Sequence, residues 1–313
     1  MRALILSCNT GEGHNSAACA IKEEFDRRGI TCAILDALGF ISAKLSRFVG
    51  GCHVQVYRHV PRAFRKGYSF SERHEAIFSE QKLIYRCLAS GVRNLYDTVV
   101  GEKYDLLICT HAFSALMVSE LRRRYDLNIG TCFVATDYTC SPSVAENDLD
   151  LYFIGHKSLL EEYEQSGIPR DKLIPSGIPV RRAFYEQLSG QEAKKRLGLA
   201  PSRRNLLLMC GSMGCGPVEK LAQALAEKLP ENCDLTVVCG TNKQLYGTLS
   251  SVQSEHVHVL GYTDQFPLLL SASDLLVTKP GGLSITEAAT KGTPMLFVDV
   301  VGGCGHRDLE FFL

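Results

Sequence analysis

Residues 1–29 read MRALILSCNTGEGHNSAACAIKEEFDRRG, and their pattern indicates the fold class of the chain. Residues 3–7 are almost entirely apolar, which is typical of a strand buried on both faces of a parallel sheet. Ala18, Ile21 and Phe25 follow at helical spacing and indicate an amphipathic helix, which a glycine then ends. A buried strand, a glycine-bearing turn and an amphipathic helix together predict the first unit of a doubly wound α/β fold.

The alternation of apolar runs with amphipathic stretches continues along the chain in two groups. In the first group, further strands are predicted over residues 31–35, 105–109, 129–135 and 151–154. In the second group, strands are predicted over residues 205–210, 235–239, 257–260, 274–278 and 294–298, with helices over 218–229, 243–252 and 283–291. Alternation of this kind predicts two parallel sheets, each covered by helices on both faces.

A polar segment separates the two groups. Residues 190–204 read GQEAKKRLGLAPSRR, a charged stretch interrupted by Gly and Pro that is typical of an interdomain linker. We therefore predict an N-terminal domain over residues 1–185, a linker over 186–203 and a C-terminal domain over 204–313. The C-terminal domain is expected to be truncated, because the chain stops within the first turns of a helix whose apolar Phe-Phe-Leu end would be poorly covered.

The composition excludes several classes of protein. Lys and Arg total 34, and Asp and Glu total 34, so the overall charge gives no argument for nucleic acid as a partner. The 13 cysteines are odd in number and include no Cys-x-x-Cys pair, so they indicate reduced thiols in the cytoplasm rather than disulfides or a zinc site. No apolar stretch approaches the roughly 20 residues of a membrane-spanning helix, and the start does not resemble a signal peptide.

Residues 40–75 fit no strand–helix unit. They contain seven Lys and Arg residues and six interleaved Phe and Tyr residues, against only two Glu. Aromatic rings and long-stemmed cations suit an anionic membrane surface, where the rings lie at the headgroup boundary and the charges meet lipid phosphates. The alternative is a surface excursion whose aromatic rings pack inward. On the first interpretation, the membrane-contacting residues are Arg58, Arg62, Phe64, Arg65 and Lys66.

The first glycine-bearing turn places His14 at the start of a helix. Ligands of parallel α/β sheets bind at the carboxyl ends of the strands, where this turn lies. A helix N-terminus disfavours a cation, so an imidazole there stays neutral and can accept a proton. The pattern indicates a general base, or alternatively a histidine that only caps or packs the helix. Gly11 and Gly13 do not complete the dinucleotide-binding fingerprint.

Two more polar residues follow predicted strands of the first domain. His111 comes after the strand at 105–109, and Asp137 comes after the strand at 129–135. Since the carboxyl ends of parallel strands meet at one edge of a sheet, these side chains can form a site with His14. A metal cluster is disfavoured, because no short ligand spacing such as His-x-x-x-His occurs.

The second domain has two glycine-bearing turns between a strand and a helix. One contains Gly211 and Gly214, and the other contains Gly281 and Gly282, whose bare backbone amides at a helix N-terminus suit a phosphate. Glu287 lies one helical turn further on, where a carboxylate can accept hydrogen bonds from a ribose diol. The alternatives are that Gly281 and Gly282 form a tight turn that binds no ligand, and that Glu287 lies on a solvated helix face. Neither turn matches the P-loop pattern.

The motifs now described resemble, in their order, those of the monogalactosyldiacylglycerol synthase and processive diacylglycerol glucosyltransferase family. The resemblance covers essentially the whole chain. The matching segments are Gly-Glu-Gly-His14, Thr-Asp137-Tyr, SGIPV at 176–180, Gly211-Ser-Met-Gly214 and KPGGLSITEA at 279–288.

The resemblance implies a GT-B fold, in which two Rossmann-like, doubly wound domains face each other across a cleft. It also implies an inverting transfer of a hexose from UDP-glucose or UDP-galactose to the hydroxyl of diacylglycerol, without a metal or other cofactor. Residues 40–75 fall where members of the family carry a membrane-associating insertion. The chain is therefore expected in the cytoplasm, bound peripherally to anionic lipid at the inner face of the cell membrane.

The resemblance also assigns roles to residues of this chain. His14 is expected to be the base that activates the acceptor, and the other acceptor-side candidates are Gly11, Gly13, His111 and Asp137. The residues expected to bind the nucleotide sugar are Gly211, Ser212, Gly214, Tyr262, Thr263, Gly281, Gly282 and Glu287.

The end of the chain departs from the family pattern. Family members carry an acidic or amide residue and then an Asn after the last strand, whereas residues 303–308 here read GCGHRD. The chain is also expected to lack the helix that crosses back to the first domain. Three alternatives therefore stay open: a UDP-sugar epimerase of the same fold, a murein-type N-acetylglucosamine transferase, and an inactive, truncated protein that binds UDP or lipid.

Overall fold

The computed structural model describes residues 1–9, 11–47, 51, 83–144, 146–251, 254–298 and 304–313. The five predicted membrane-contacting residues, Arg58, Arg62, Phe64, Arg65 and Lys66, lie outside the described residues. The chain divides into two compact units. The first unit comprises Met1–Arg181 with Gly302–Leu313, and the second comprises Arg182–Val301.

The strands of the first unit are β1 Arg2–Ser7, β2 Thr31–Asp36, β3 Leu106–Cys109, β4 Gly130–Val134, β5 Leu151–Ile154 and β6 Leu173–Pro175. Those of the second are β7 Arg204–Met209, β8 Cys233–Val238, β9 Val257–Leu260, β10 Leu275–Thr278 and β11 Met295–Phe297. The helices are α1 Glu12–Arg27, α2 Leu83–Ser90, α3 Val92–Gly101, α4 Ala112–Arg124, α5 Leu160–Gln165, α6 Gly190–Arg196, α7 Val218–Glu227, α8 Lys243–Ser250, α9 Phe266–Ser271, α10 Gly282–Lys291 and α11 Cys304–Phe312.

The first unit is built on a six-stranded parallel sheet with the order β2-β1-β3-β4-β5-β6. Its central strand β1 is buried from Ala3 onward, as the apolar run predicts. Ile5 of β1 packs with Ala18 of α1, Ile108 of β3 and Val134 of β4. The burial of these side chains drives α1 onto the sheet and places the turn between β1 and α1 at the carboxyl edge.

The second unit is built on a five-stranded parallel sheet with the order β11-β10-β7-β8-β9. Leu208, Val237 and Val277 from three neighbouring strands form its buried core, with Val218 of α7 and Leu245 of α8 packed against them. The prediction of two parallel α/β sheets is therefore confirmed. None of the described helices is long and apolar enough to cross a membrane.

The predicted linker differs from the structure. Within it, α6 is a regular helix of the second unit, with Ala193 fully buried and the Lys194 ammonium 3.0 Å from the Asp274 carboxylate. The Ser189 hydroxyl accepts a hydrogen bond from the backbone N–H of Glu192, 3.2 Å away. The sequence contains the capping pattern, a Ser followed three residues later by a Glu. The Gly and Pro residues after the helix, however, indicated a linker.

The end of the chain also differs from the prediction of a C-terminal domain over 204–313. Helix α11 follows the second unit along the chain but belongs to the first unit. Phe311 stacks on Tyr138 with 4.4 Å between ring centroids, and Phe312 meets the same ring edge-on at 5.0 Å. The two phenylalanines of the predicted uncovered end are therefore packed on Tyr138, whereas Leu313 is exposed. The expectation that no helix returns to the first domain is corrected.

Two glycines hold the turns of the second sheet together. A Cβ on Gly240 would lie 2.0 Å from the backbone oxygen of Ser212, and one on Gly214 would lie 2.1 Å from the backbone oxygen of Cys239. Both glycines have φ of +55°, where other residues are strained. The turn after β7 and the turn after β8 are thus in direct backbone contact, which places both at the carboxyl edge.

We predict that Gly240→Ala lowers the free energy of unfolding by more than about 2 kcal/mol, because the new methyl group collides with backbone and takes a left-handed φ. Thermal or urea unfolding measures this. The matched control is Gly247→Ala in the exposed face of α8, where a Cβ meets no atom within 4 Å. The control is expected to gain up to about 1 kcal/mol. Equal stability of the two variants would contradict the turn geometry.

Candidate active site

The His14 imidazole is held by the backbone of a neighbouring strand end. It lies in the first turn of α1, and its Nδ1 is 2.8 Å from the backbone oxygen of Thr110, directly after β3. A carbonyl oxygen can only accept a hydrogen bond, so Nδ1 carries the proton. Nε2 of the neutral ring then carries the lone pair, which is the form a general base requires.

A second oxygen approaches the same nitrogen. The Thr136 Oγ1 lies 3.0 Å from Nδ1 of His14 and 3.3 Å from Oδ2 of Asp137. The threonine oxygen therefore accepts from the imidazole while its own proton is donated to the carboxylate. This arrangement links the imidazole through a hydroxyl group to a negative charge, which stabilises the ring when it takes up a proton.

Burial lowers the pKa of His14 below its usual value, while the charge of Asp137 and the hydrogen bond to Thr110 act in the opposite direction. The net lowering keeps the imidazole neutral near pH 7. His14 is nevertheless partly exposed to solvent, so a substrate can reach it.

His111 stands beside His14 in the opposite tautomer. It caps the N-terminus of α4, where its Nδ1 accepts the backbone N–H of Phe113 at 3.0 Å. When neutral, the ring therefore carries its proton on Nε2 and can donate it. The two imidazoles meet edge to face with 4.5 Å between centroids. Thus one ring offers an acceptor and its neighbour a donor at the same sheet edge.

The structure brings the predicted acceptor-side residues together. Gly11 precedes α1 without a side-chain cap, and a Cβ there would meet no atom within 4 Å. Gly13 lies in the first turn of the helix, next to His14. Within the described part of the chain, no group of three or more His, Cys, Asp or Glu side chains is arranged to hold a metal ion.

In the second unit, two of the predicted turns are neighbours. The turn with Gly211, Ser212 and Gly214 follows β7, and Gly281 and Gly282 follow the adjacent strand β10. Gly281 is the N-cap of α10, makes no side-chain capping bond, and has open space where a Cβ would lie. The backbone amides at this helix start are therefore suited to bind an anion.

A lysine that the sequence analysis left without a role lies over these turns. A Cβ on Gly211 would be 3.0 Å from Cε of Lys279 and 3.5 Å from its Nζ. The side chain thus runs from the end of β10 across the turn after β7. Its ammonium group and the first amides of α10 place positive potential at one edge of the second sheet.

The remaining predicted residues differ in exposure. Glu287 on α10 is only 6% exposed, so it does not lie on a solvated helix face. Tyr262 is 66% exposed in the loop after β9, two strands away from β7, and Thr263 in the same loop accepts the backbone N–H of Gln265 at 3.1 Å. An exposed ring of this kind offers a stacking surface for a planar base.

Three contributors to the two sites were absent from the sequence-based list: the Thr110 carbonyl, the Thr136 hydroxyl and Lys279. No sequence pattern reveals a backbone carbonyl as a ligand for His14. Thr136 and Lys279, in contrast, are the first residues of two quoted motifs, Thr-Asp137-Tyr and KPGGLSITEA, each close to a strand end. Position at the carboxyl end of a strand was the available signal for both.

Comparisons with known proteins identify the family of the chain. Residues 14–180 match the monogalactosyldiacylglycerol (MGDG) synthase family, and residues 205–303 match the glycosyltransferase family 28 C-terminal domain. A processive diacylglycerol β-glucosyltransferase from Bacillus subtilis is 28% identical over 321 residues, which cover 99% of this chain and 81% of that protein.

Two solved structures have a similar fold. The glycosyltransferase SnogD from Streptomyces nogalater has a TM-score of 0.59 at 14% identity, covering 99% of this chain and 84% of its own. A putative UDP-N-acetylglucosamine 2-epimerase from Listeria monocytogenes has a TM-score of 0.58 at 12% identity, covering 98% and 82%. The two units thus have the folds of GT-B glycosyltransferases and related epimerases.

The family match spans more than half of the chain and includes His14, Thr110, His111, Thr136 and Asp137. The prediction from the motifs is confirmed: this chain is a glycosyltransferase that belongs to the monogalactosyldiacylglycerol synthase family.

Proposed function

We propose that this chain transfers a hexose from a UDP-sugar to the hydroxyl group of diacylglycerol, with inversion at the anomeric carbon, and that glucose is the hexose. The observation that carries the proposal is the neutral His14 imidazole, whose Nδ1–H is bonded to the Thr110 carbonyl so that Nε2 is left as the acceptor. The names of the curated relatives support diacylglycerol and glucose as the substrates.

In the proposed reaction, His14 acts as the general base of the first unit. Its Nε2 takes the proton from the acceptor hydroxyl as that oxygen forms a bond to the anomeric carbon from the face opposite UDP. The imidazolium that forms is stabilised by the Thr110 carbonyl and, through the Thr136 hydroxyl, by the Asp137 carboxylate.

The second unit receives the leaving group. The bond between the anomeric carbon and UDP breaks, and the electron pair goes to the diphosphate. The backbone amides at Gly281 and Gly282 and the Lys279 ammonium are suited to stabilise that charge without a metal or other cofactor. Tyr262 and Glu287 are proposed to contact the uracil and the ribose.

The proposal includes a peripheral location at the inner, anionic face of the cell membrane. Diacylglycerol resides in the bilayer, and the mixture of cations and aromatic residues over 40–75 is suited to its surface. The alternatives of an epimerase or a murein-type transferase have less support, since the likeness to such structures concerns the fold alone.

The function is tested with labelled UDP-glucose and UDP-galactose on anionic vesicles with and without diacylglycerol. The expected product is a glucolipid that forms only when diacylglycerol is present. Binding of UDP without any transfer would identify an inactive binding protein, and transfer to a different acceptor would overturn the lipid assignment. A galactolipid product would leave the proposed reaction class unchanged but would show that the hexose is galactose instead of glucose.

We predict that His14→Ala lowers kcat by at least about 100-fold, because no group then accepts the acceptor's proton. Calorimetry should give an unchanged Kd for UDP, whose proposed ligands lie in the second unit. In the wild type, kcat/KM should fall at acid pH as His14 gains a proton. Its lowered pKa places that fall below the usual imidazole range near 6.5, and the variant should lack it. Activity near that of the wild type would exclude His14 as the base.

We predict that Lys279→Met weakens UDP binding by about 10- to 100-fold, the range expected from losing a charged hydrogen bond. Binding of uridine, which lacks phosphate, should stay the same, and calorimetry compares the two ligands. Lys220→Met removes an equal charge from the exposed surface of α7 and serves as the control. A parallel loss of uridine affinity would show that Lys279 acts on the fold of the turn instead.

A further inference from the structure

The last helix of the described chain is attached to the segment that follows β4. Asp308 of α11 is only 1% exposed, and its Oδ1 accepts the backbone N–H of Tyr138 at 2.7 Å. Tyr138 is the next residue after Thr136 and Asp137, the two residues that connect the His14 imidazole to a negative charge. Asp308 thus accepts a hydrogen bond from the backbone next to the proposed active site, although it lies far from that segment in the sequence.

The ring of Tyr138 strengthens this attachment. Phe311 stacks on it with an interplanar angle of 16°, and a Cβ on Gly155 would lie only 3.2 Å from the same ring. The phenol is therefore packed against α11 and against the end of β5. Because the ring has little room to move, its backbone is restrained together with it.

The two residues after Tyr138 are held in the same way. Oε1 of Glu162 accepts the backbone N–H of Cys140 at 2.9 Å and also the hydroxyl group of Thr139. Arg307 of α11 lies with Nη1 3.1 Å from that same carboxylate oxygen. Residues 138–140 are consequently restrained by α5 and α11 along their whole length.

The hydrogen bond between the Tyr138 amide and Asp308 also restrains the backbone of Asp137. The N–H of Tyr138 lies in the peptide plane that begins at the Cα of Asp137, so an acceptor that orients this N–H also orients the preceding residue. A carboxylate oxygen binds an amide more strongly than a neutral acceptor does. The position of the Asp137 side chain is thus coupled to a carboxylate 171 residues away in the sequence.

We propose that Asp308 is a positioning residue of the transfer reaction: by accepting the Tyr138 amide, it fixes the segment that sets the Thr136 hydroxyl and the Asp137 carboxylate against the His14 imidazole. The proposal rests on the proposed role of His14 as the base. Asp308 itself touches neither the imidazole nor a substrate in this assignment.

The positioning role of Asp308 can be measured through the pKa of the His14 imidazole. Asp137 and His111 are the titratable groups that the described structure places against His14, and the charge of Asp137 raises the pKa of the ring. If the segment is released while the ring stays buried, the charge of Asp137 no longer raises the pKa of His14, and that pKa falls further. A carboxylate that served only to hold α11 in place would leave that pKa unchanged.

The experiment compares three variants of the full chain. Asp308→Ala removes the acceptor, Asp308→Asn retains an oxygen that can accept the Tyr138 amide, and His306→Ala changes a side chain on the solvent side of the same helix. NMR titration gives the pKa of His14, whose signal is assigned by its loss in His14→Gln. A pH–rate profile with UDP-glucose and diacylglycerol gives kcat.

For Asp308→Ala we expect the pKa of His14 to fall by several tenths of a unit and kcat to fall by about tenfold, with an unchanged Kd for UDP. Asp308→Asn should recover most of both quantities, and His306→Ala should match the wild type. If Asp308→Ala does not fold, Phe311→Leu, which loosens the Tyr138 ring without altering the carboxylate, should lower the same pKa. An unchanged pKa and kcat in the folded variant would overturn the proposal, even if its melting temperature fell.

The experiments separate the positioning role of Asp308 from the proposed hexose transfer. The NMR titration needs neither donor nor acceptor, so it reports on the imidazole whatever the reaction is. A wild-type chain that transfers no hexose would overturn the function. A chain that transfers hexose, with a His14 pKa indifferent to Asp308→Ala, would overturn only the positioning role.

Discussion

The hydrogen bond from Nδ1 of His14 to the Thr110 carbonyl is the interaction on which the proposed chemistry depends. Strands β1 and β3 are neighbours in register, with Leu6 opposite Cys109, so the residues that follow them meet at one edge. The backbone carbonyl there can only accept a hydrogen bond, and this fixes the imidazole tautomer. A base of defined geometry thus follows from the pairing of two buried strands.

The proposed reaction makes a different electrostatic demand on each unit, and different groups are suited to meet it. In the first, a proton must be accepted, and a partly buried imidazole with a carbonyl, a hydroxyl and one carboxylate in sequence meets that need. In the second, a diphosphate must be stabilised as it departs, and an ammonium group with open backbone amides provides the charge. Close backbone contact at Gly214 and Gly240 keeps the turns of that second edge in place.

The sequence predicted what local patterns encode. Apolar runs identified the strands, and glycines next to strand ends identified the turns that flank both sites. It did not reveal contacts between distant residues: Thr136 with His14, Lys279 over Gly211, and the docking of α11 on Tyr138 depend on how the sheets are ordered. Helix α6 is a different case, since its Ser189 cap was a local signal outweighed by the Gly and Pro residues after it.

The tautomer of His14 is the most direct test of the account, and the ¹⁵N chemical shifts of its two ring nitrogens at neutral pH report it. We expect a neutral ring with the proton on Nδ1 and a lone pair on Nε2. A ring protonated on Nε2, or one that is fully cationic at neutral pH, would contradict it, because neither form leaves Nε2 able to accept the proton of an alcohol.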